Sequence, residues 1–224
     1  MYQSINQIGA LVAKEFRLEW RQRYALNGML LYIVGAVFVC YLGFNARRGQ
    51  LLPIVWNTLF WIIQLFSAIN AIAKTFVQER AGRQLYYYTL ASPQQIIIAK
   101  IIYNIGLMLV LSLLGFAVYA FVLGNMAQDW QLYLGSLLLG AVGFAASLTL
   151  VAGIAAKAEN SATLMAILSF PVILPLLLLL LRVSKNAMDG LERSASRDEL
   201  LSIFAIDAIV LALSVLLFPF IWKS

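Results

Sequence analysis

The chain has 224 residues, of which 62% are hydrophobic and only 12% charged, with a formal net charge of +6. A mean hydropathy of +0.87 excludes an ordinary globular domain and points to one helical membrane domain spanning residues 1–224. Histidine is absent and Cys40 is the single cysteine, which excludes a His/Cys metal site, the usual haem ligand and any intrachain disulfide.

Residues 5–21 place Ile5, Ile8, Val12, Phe16 and Trp20 along one stripe of a helical wheel, with Lys14, Arg17 and Arg21 opposite. This pattern predicts an amphipathic helix over 4–23, lying at the membrane interface with Phe16 and Trp20 in the acyl boundary and Arg17 and Arg21 on its basic side. Glu19 sits near the apolar edge and interrupts the pattern. A surface helix packed on a partner protein is the alternative. The first apolar run starts only at Ala25 and no small-residue cleavage site follows, so the first span is expected to be retained.

Six apolar runs then cover about residues 25–44, 51–73, 96–123, 132–156, 162–181 and 203–222. About 20 helical residues cross the hydrocarbon core, and the runs lack the ten-residue alternation of a transmembrane barrel. The expectation is an all-α integral membrane protein with six transmembrane helices and an N-terminal interfacial helix. Cys40, inside the first span, reads as a small packing residue.

The segment 74–93 between the second and third spans is the sizeable polar stretch on its side of the membrane apart from the N-terminal helix. Glu79, Arg80 and Arg83 offer charge-assisted contacts, while Phe76, Leu85 and Tyr86 to Tyr88 could anchor a short helix at the interface or in a partner's groove. Ser92-Pro93-Gln94-Gln95 then combines a capping serine, a proline at the first helical position and a glutamine three residues on, which marks the start of the third span.

In the fourth span Ala141, Ala145, Thr149 and Gly153 recur every four residues and form a smooth packing seam. Pro171 and Pro175 in the fifth each remove a backbone donor, which makes them candidate hinge positions. Ser196 to Glu199 repeats the S-x-x-E capping pattern before the sixth span. Asp207, a few residues into that span, is expected to be shallow enough to reach water and to act at the interface rather than as a proton relay.

Of the sixteen basic residues, ten fall on the side of the N-terminus if both termini share that side, and six on the other. The bias predicts that both termini and the 74–93 segment face the cytoplasm. No Gly-Lys dipeptide occurs, so a P-loop cannot be written and energy from ATP must enter through a partner. The spans also hold no paired carboxylates or nucleophile and base pair, so enzyme chemistry is not expected. There is no nucleic-acid footprint.

Three stretches, Lys14-Glu15-Phe16-Arg17-Leu18-Glu19-Trp20-Arg21, Phe76-x-x-Glu79-Arg80 through Ser92-Pro93 to Lys100, and Pro171-x-x-x-Pro175 with its leucine run, occur in order around six spans. Together with Phe218-Pro219-Phe220 they resemble the B subunit of the haem exporter of cytochrome c maturation, the CcmB family of ABC transporter permeases. The resemblance implies a multi-pass protein of the bacterial inner membrane, present in two copies per complex. Its partners would be a cytoplasmic ATPase subunit that binds ATP, a haem-handling membrane subunit that loads a periplasmic haem chaperone, and membrane lipid. It also implies coupling to the ATPase through the 74–93 segment, with Phe76, Glu79, Arg80, Arg83 and Leu85 as candidate contacts, and through the amphipathic N-terminal helix. Haem enters as cargo, with no cofactor held by this chain. A permease for another apolar cargo such as lipid or drug, and a membrane scaffold without transport, are the competing readings.

Overall fold

The structure, a computed structural model, describes the backbone of residues 2–21, 23–46, 51–77, 92–156 and 161–223, and the side chains of 6–21, 27–44, 51–73, 92–156 and 163–220. The described residues form seven α-helices: α1 (Tyr2–Arg21), α2 (Arg23–Ala46), α3 (Pro53–Val77), α4 (Pro93–Leu123), α5 (Trp130–Ala155), α6 (Ser161–Met188) and α7 (Arg197–Lys223). A short 3-10 turn over Arg193–Ser196 leads into α7. Helices α2 to α7 are each long and apolar enough to cross a membrane, so the chain is an all-α integral membrane protein.

The six long helices alternate in direction, giving a near end that carries α1 and a far end that carries the turn before α7. Helix α5 is the centre: it packs on α3, α4, α6 and α7. It can do so because its residues are small where neighbours approach. A Cβ on Gly140 would sit 2.9 Å from the Trp61 ring, and Ala141, Ala145, Thr149 and Gly153 are all buried. The four-residue seam therefore serves packing within the chain, with Asn104 Nδ2 of α4 donating to Thr149 Oγ1 at 2.8 Å.

Toward the far end the core is aromatic, with its polar atoms paired. Trp56, Phe60, Tyr119 and Tyr133 meet at ring separations of 4.8 to 6.1 Å. The Trp56 indole donates to Gly124 O at 3.1 Å, Tyr119 to Trp56 O at 2.8 Å, Tyr133 to Asn57 Oδ1 at 3.3 Å, and Trp61 to Ser184 Oγ at 2.9 Å. In lipid each such bond removes the cost of an unpaired polar atom, so the network ties α3 to α4, α5 and α6.

Local start and stop signals come out unevenly. Ser92 caps α4 with a complete capping box: Gln95 N donates to Ser92 Oγ at 3.4 Å and Ser92 N to Gln95 Oε1 at 2.9 Å. Ser196 does not cap α7 as its S-x-x-E spacing suggested. It closes the 3-10 turn, and its buried hydroxyl accepts from Asn186 Nδ2 at 2.9 Å, because the turn points its side chain back at α6. Helix α6 also runs on to Met188, past the end of its apolar run at 181. Val183, Ser184, Ala187 and Met188 stay buried while Arg182 and Lys185 are exposed, so an amphipathic turn continues the apolar helix. Gly190 ends it with a φ of 65°, a left-handed cap that favours glycine.

Pro171 and Pro175 both lie inside α6, exposed on its outer side, and the helix is continuous across them. Ile173, Leu176 and Leu180 supply its buried face.

Candidate functional site

The near end carries α1, one of the two elements through which the resemblance implies coupling, and it is built by docking α1 onto α4. Helix α4 has 31 residues, about 46 Å at 1.5 Å per residue, well beyond a hydrocarbon core of about 30 Å. Its first turns therefore offer a polar-capable ledge, and α1 covers it. Gln95 Nε2 donates to Gln7 Oε1 at 2.8 Å. Phe16 meets the Tyr103 ring edge-on, with centroids 5.3 Å apart, against the bare backbone of Gly106.

Between these contacts lies an ion pair. The Lys100 ammonium, only 2% exposed, is 3.8 Å from Glu15 Oε1, and the same oxygen is 2.8 Å from Lys14 Nζ. Lys100 is buried about two turns into α4, where an ammonium is tolerable only with an opposite charge or water at hand. Glu15 supplies that charge from α1. Glu19, which interrupts the apolar stripe, lies beside the Tyr103 hydroxyl. The irregular acid in the pattern is thus explained by α4.

The four candidate interfacial residues divide accordingly. Phe16 is half-exposed but committed on one side to Tyr103, whereas Trp20 is 71% exposed and Arg17 and Arg21 are exposed. An open groove of about 460 Å³ follows the basic side of α1, lined by Ala10, Ala13, Lys14, Arg17, Leu18 and Arg21. Helix α1 is thus a strap on its own chain, with Trp20, Arg17 and Arg21 exposed on its surface where lipid or another protein can reach them. Of the candidate coupling residues, Phe76 falls within α3 but its side chain lies outside the described residues, as do Glu79, Arg80, Arg83 and Leu85 altogether.

The far end is closed by a second ion pair that spacing alone did not suggest. Asp129 caps α5, its Oδ1 accepting from Gln131 N and Leu132 N at 3.1 Å, and its own N–H donates to Ala187 O at 2.9 Å. Arg193 grips the same carboxylate with two bonds of 2.6 and 3.0 Å and reaches Gln131 Oε1 at 2.7 Å. The Arg193 guanidinium, helped by the Leu132 amide, holds the Asp129 carboxyl below its ordinary range. A depressed carboxyl contributes to stability above its unfolded value, and that contribution fades as pH falls through the folded one. Hydrogen exchange across 187–193 should therefore accelerate as the solution is acidified below the usual carboxylate range. Asp129→Asn should exchange faster at neutral pH and lose this acid dependence.

Asp207 departs from expectation. It is 4% exposed, faces Gly143 of α5 and Leu176 of α6, and neither carboxyl oxygen has a hydrogen-bond partner. Gly143 lies 13 residues from the start of α5, about 20 Å along the axis, so the acid sits at mid-bundle and not in shallow water. The sequence position was misleading because α7 begins its helix at Arg197, six residues before the apolar run.

Among the described residues no cluster of three or more His, Cys, Asp or Glu side chains could hold a metal ion. No curated protein matches the chain. A family model described as CcmB protein matches residues 6–221, which takes in α1, the ledge on α4 and all six long helices. With that match over nearly the whole chain, the protein belongs to the CcmB family and is a multi-pass membrane component of the haem export system for cytochrome c maturation.

Proposed function

We propose that this chain is the permease subunit that couples ATP hydrolysis by a separate cytoplasmic ATPase subunit to haem export or to release of a haem-loaded chaperone. The observation that carries the reading is the strap at the near end. Helix α1 is bound to α4 through Glu15 and Lys100, so a push on α1 is transmitted to a membrane-spanning helix. Two copies of the chain work with the ATPase, both termini face the cytoplasm, and the complex sits in the bacterial inner membrane.

The chain's own chemistry supports a division of labour. Without a Gly-Lys dipeptide it has no P-loop, and without histidine it lacks the commonest axial haem ligand. ATP is bound by the ATPase and haem is ligated by a neighbouring membrane subunit. Pro171 and Pro175 lie where two hydrogen bonds of α6 are missing, which suits them to bending as the near end is pushed.

The test is charge reversal at Glu79 and Arg80. A Glu79→Lys, Arg80→Glu variant should insert and accumulate normally, since both residues lie between the spans. It should recover the ATPase poorly in mild detergent or leave its activity uncoupled, and c-type cytochromes should fail to mature. Losing one partner of a desolvated interfacial ion pair commonly costs about 2 to 5 kcal/mol, enough to lower complex recovery at least tenfold. Normal cytochrome assembly with full ATPase recovery would remove this segment from the mechanism and move the contact to α1.

A further inference from the structure

Asp207 is a carboxyl that nothing in the coupling mechanism uses. It is buried at mid-bundle where α5, α6 and α7 meet, and neither oxygen has a partner. The place a Cβ would take on Gly143 lies 2.5 Å from Leu176 Cδ2 and closer still to Asp207 Oδ1, so the glycine notch is filled by the acid and the leucine.

Among the described residues no nearby charge compensates it. Helix α5 carries no charged residue between Trp130 and Ala155. On α6 the nearest is exposed Arg182, six residues beyond Leu176, about 9 Å along the axis. On α4 the charged residue is Lys100, held by Glu15 near its start, and on the turn before α7 Arg193 is engaged with Asp129. Arg197, Asp198 and Glu199 lie at the start of α7, eight or more residues away. Of the buried tyrosines, Tyr119 donates to Trp56 O and Tyr133 to Asn57 Oδ1, so both of these hydroxyls are engaged toward the far end.

An ionised carboxylate without partner or water is costly in such a place, and the group relieves that cost by binding a proton. We propose that Asp207 is a proton-binding site in the middle of the bundle, protonated while α7 is packed on Gly143 and deprotonated when α7 parts from α5. The balance is simple. Opening the seam lets water reach the carboxyl, the O–H bond breaks heterolytically, the electron pair stays on the carboxylate and the proton passes to water. Reclosure takes up one proton. Separation of α5 and α7 is thereby linked to pH, with closure favoured by acid and opening by base.

Two measurements on the full-length protein in lipid nanodiscs test this. Infrared spectra at neutral pH should contain a protonated-carboxyl C=O band that is lost in Asp207→Asn; a carboxylate signal from Asp207 at neutral pH would overturn the assignment. Hydrogen exchange of the 203–211 amides, corrected for intrinsic rates, should then report the linkage. In the wild type the opening equilibrium should rise by up to about tenfold per pH unit, the slope for release of one proton. In Asp207→Asn that rise should vanish. A wild-type profile that is flat with pH, or one unchanged in Asp207→Asn, would show that opening carries no proton from Asp207.

Discussion

Glu15→Gln is expected to loosen α1 from α4 and to cost roughly 3 kcal/mol, the low end for removing one partner of a buried ion pair. The reason is the asymmetry of the pair. Glu15 lies at the rim with Lys14 also at hand, whereas Lys100 is 2% exposed in an apolar helix and loses the nearby carboxylate. Lys100→Met should cost less, because Glu15 retains Lys14 and the new side chain packs among apolar neighbours. The double variant should be more stable than the sum of the single losses by at least about 1 kcal/mol, the signature of two groups that act on each other. Denaturant unfolding in nanodiscs gives the energies, and thiol labelling of Leu11→Cys, a partly buried position of α1, in a Cys40→Ser background reports whether α1 has lifted. Additive losses with unchanged labelling would mean that the strap is held by Phe16 and Gln7 rather than by charge. The same variants bear on the proposed coupling, under which a chain whose α1 has been released should keep its spans and fail to support cytochrome c maturation.

The second large effect is expected at Gly140. A Cβ there would fall 2.9 Å from two atoms of the Trp61 ring and 3.0 Å from Leu180 Cδ1. The ring cannot swing aside easily, because its Nε1 donates to Ser184 and it packs edge-to-face with Phe60 and Phe144. Gly140→Ala should therefore cost about 2 to 3 kcal/mol through overpacking, outweighing the roughly 1 kcal/mol that alanine gains over glycine in a helix. Gly135→Ala on the same helix meets nothing within 4 Å and should be neutral or slightly stabilising. Thermal unfolding of the two variants in parallel separates packing from propensity. Trp61→Phe should restore part of the loss in a Gly140→Ala background and little by itself beyond the missing bond to Ser184. Equal effects at positions 135 and 140 would show that α5 is not the tightly enclosed centre of the bundle.

What could be read without coordinates follows from the membrane as solvent. Long apolar runs must be helical because lipid offers the backbone no hydrogen-bond partner, so six spanning helices and the all-α class were legible from composition alone. So was the start of α4, where Ser92, Pro93 and Gln95 act within one turn and need nothing from the rest of the chain. The stripe of α1 was equally local, but what covers it was not. A helical wheel shows an apolar side and cannot distinguish lipid from α4, whose Tyr103 and Gly106 lie some ninety residues away. Glu19 and Lys100 carried the clue, as charges out of place in two separate patterns that are answered across the contact of α1 with α4, Lys100 by Glu15 and Glu19 by its place beside the Tyr103 hydroxyl.

The same division holds elsewhere in the bundle. Sequence alone determined that this is a helical membrane protein, that it has no P-loop, and that it carries no histidine to ligate haem or metal, since these depend on residue type and run length. Tertiary structure decided that α5 is the centre, that Asp129 answers Arg193, that Ser196 serves a turn and not a cap, and that Asp207 is buried rather than wet. Each of these depends on which side of a helix meets a neighbour distant in the chain. Apolar periodicity is nearly silent there, because in lipid both the buried and the exposed sides of a spanning helix are hydrophobic.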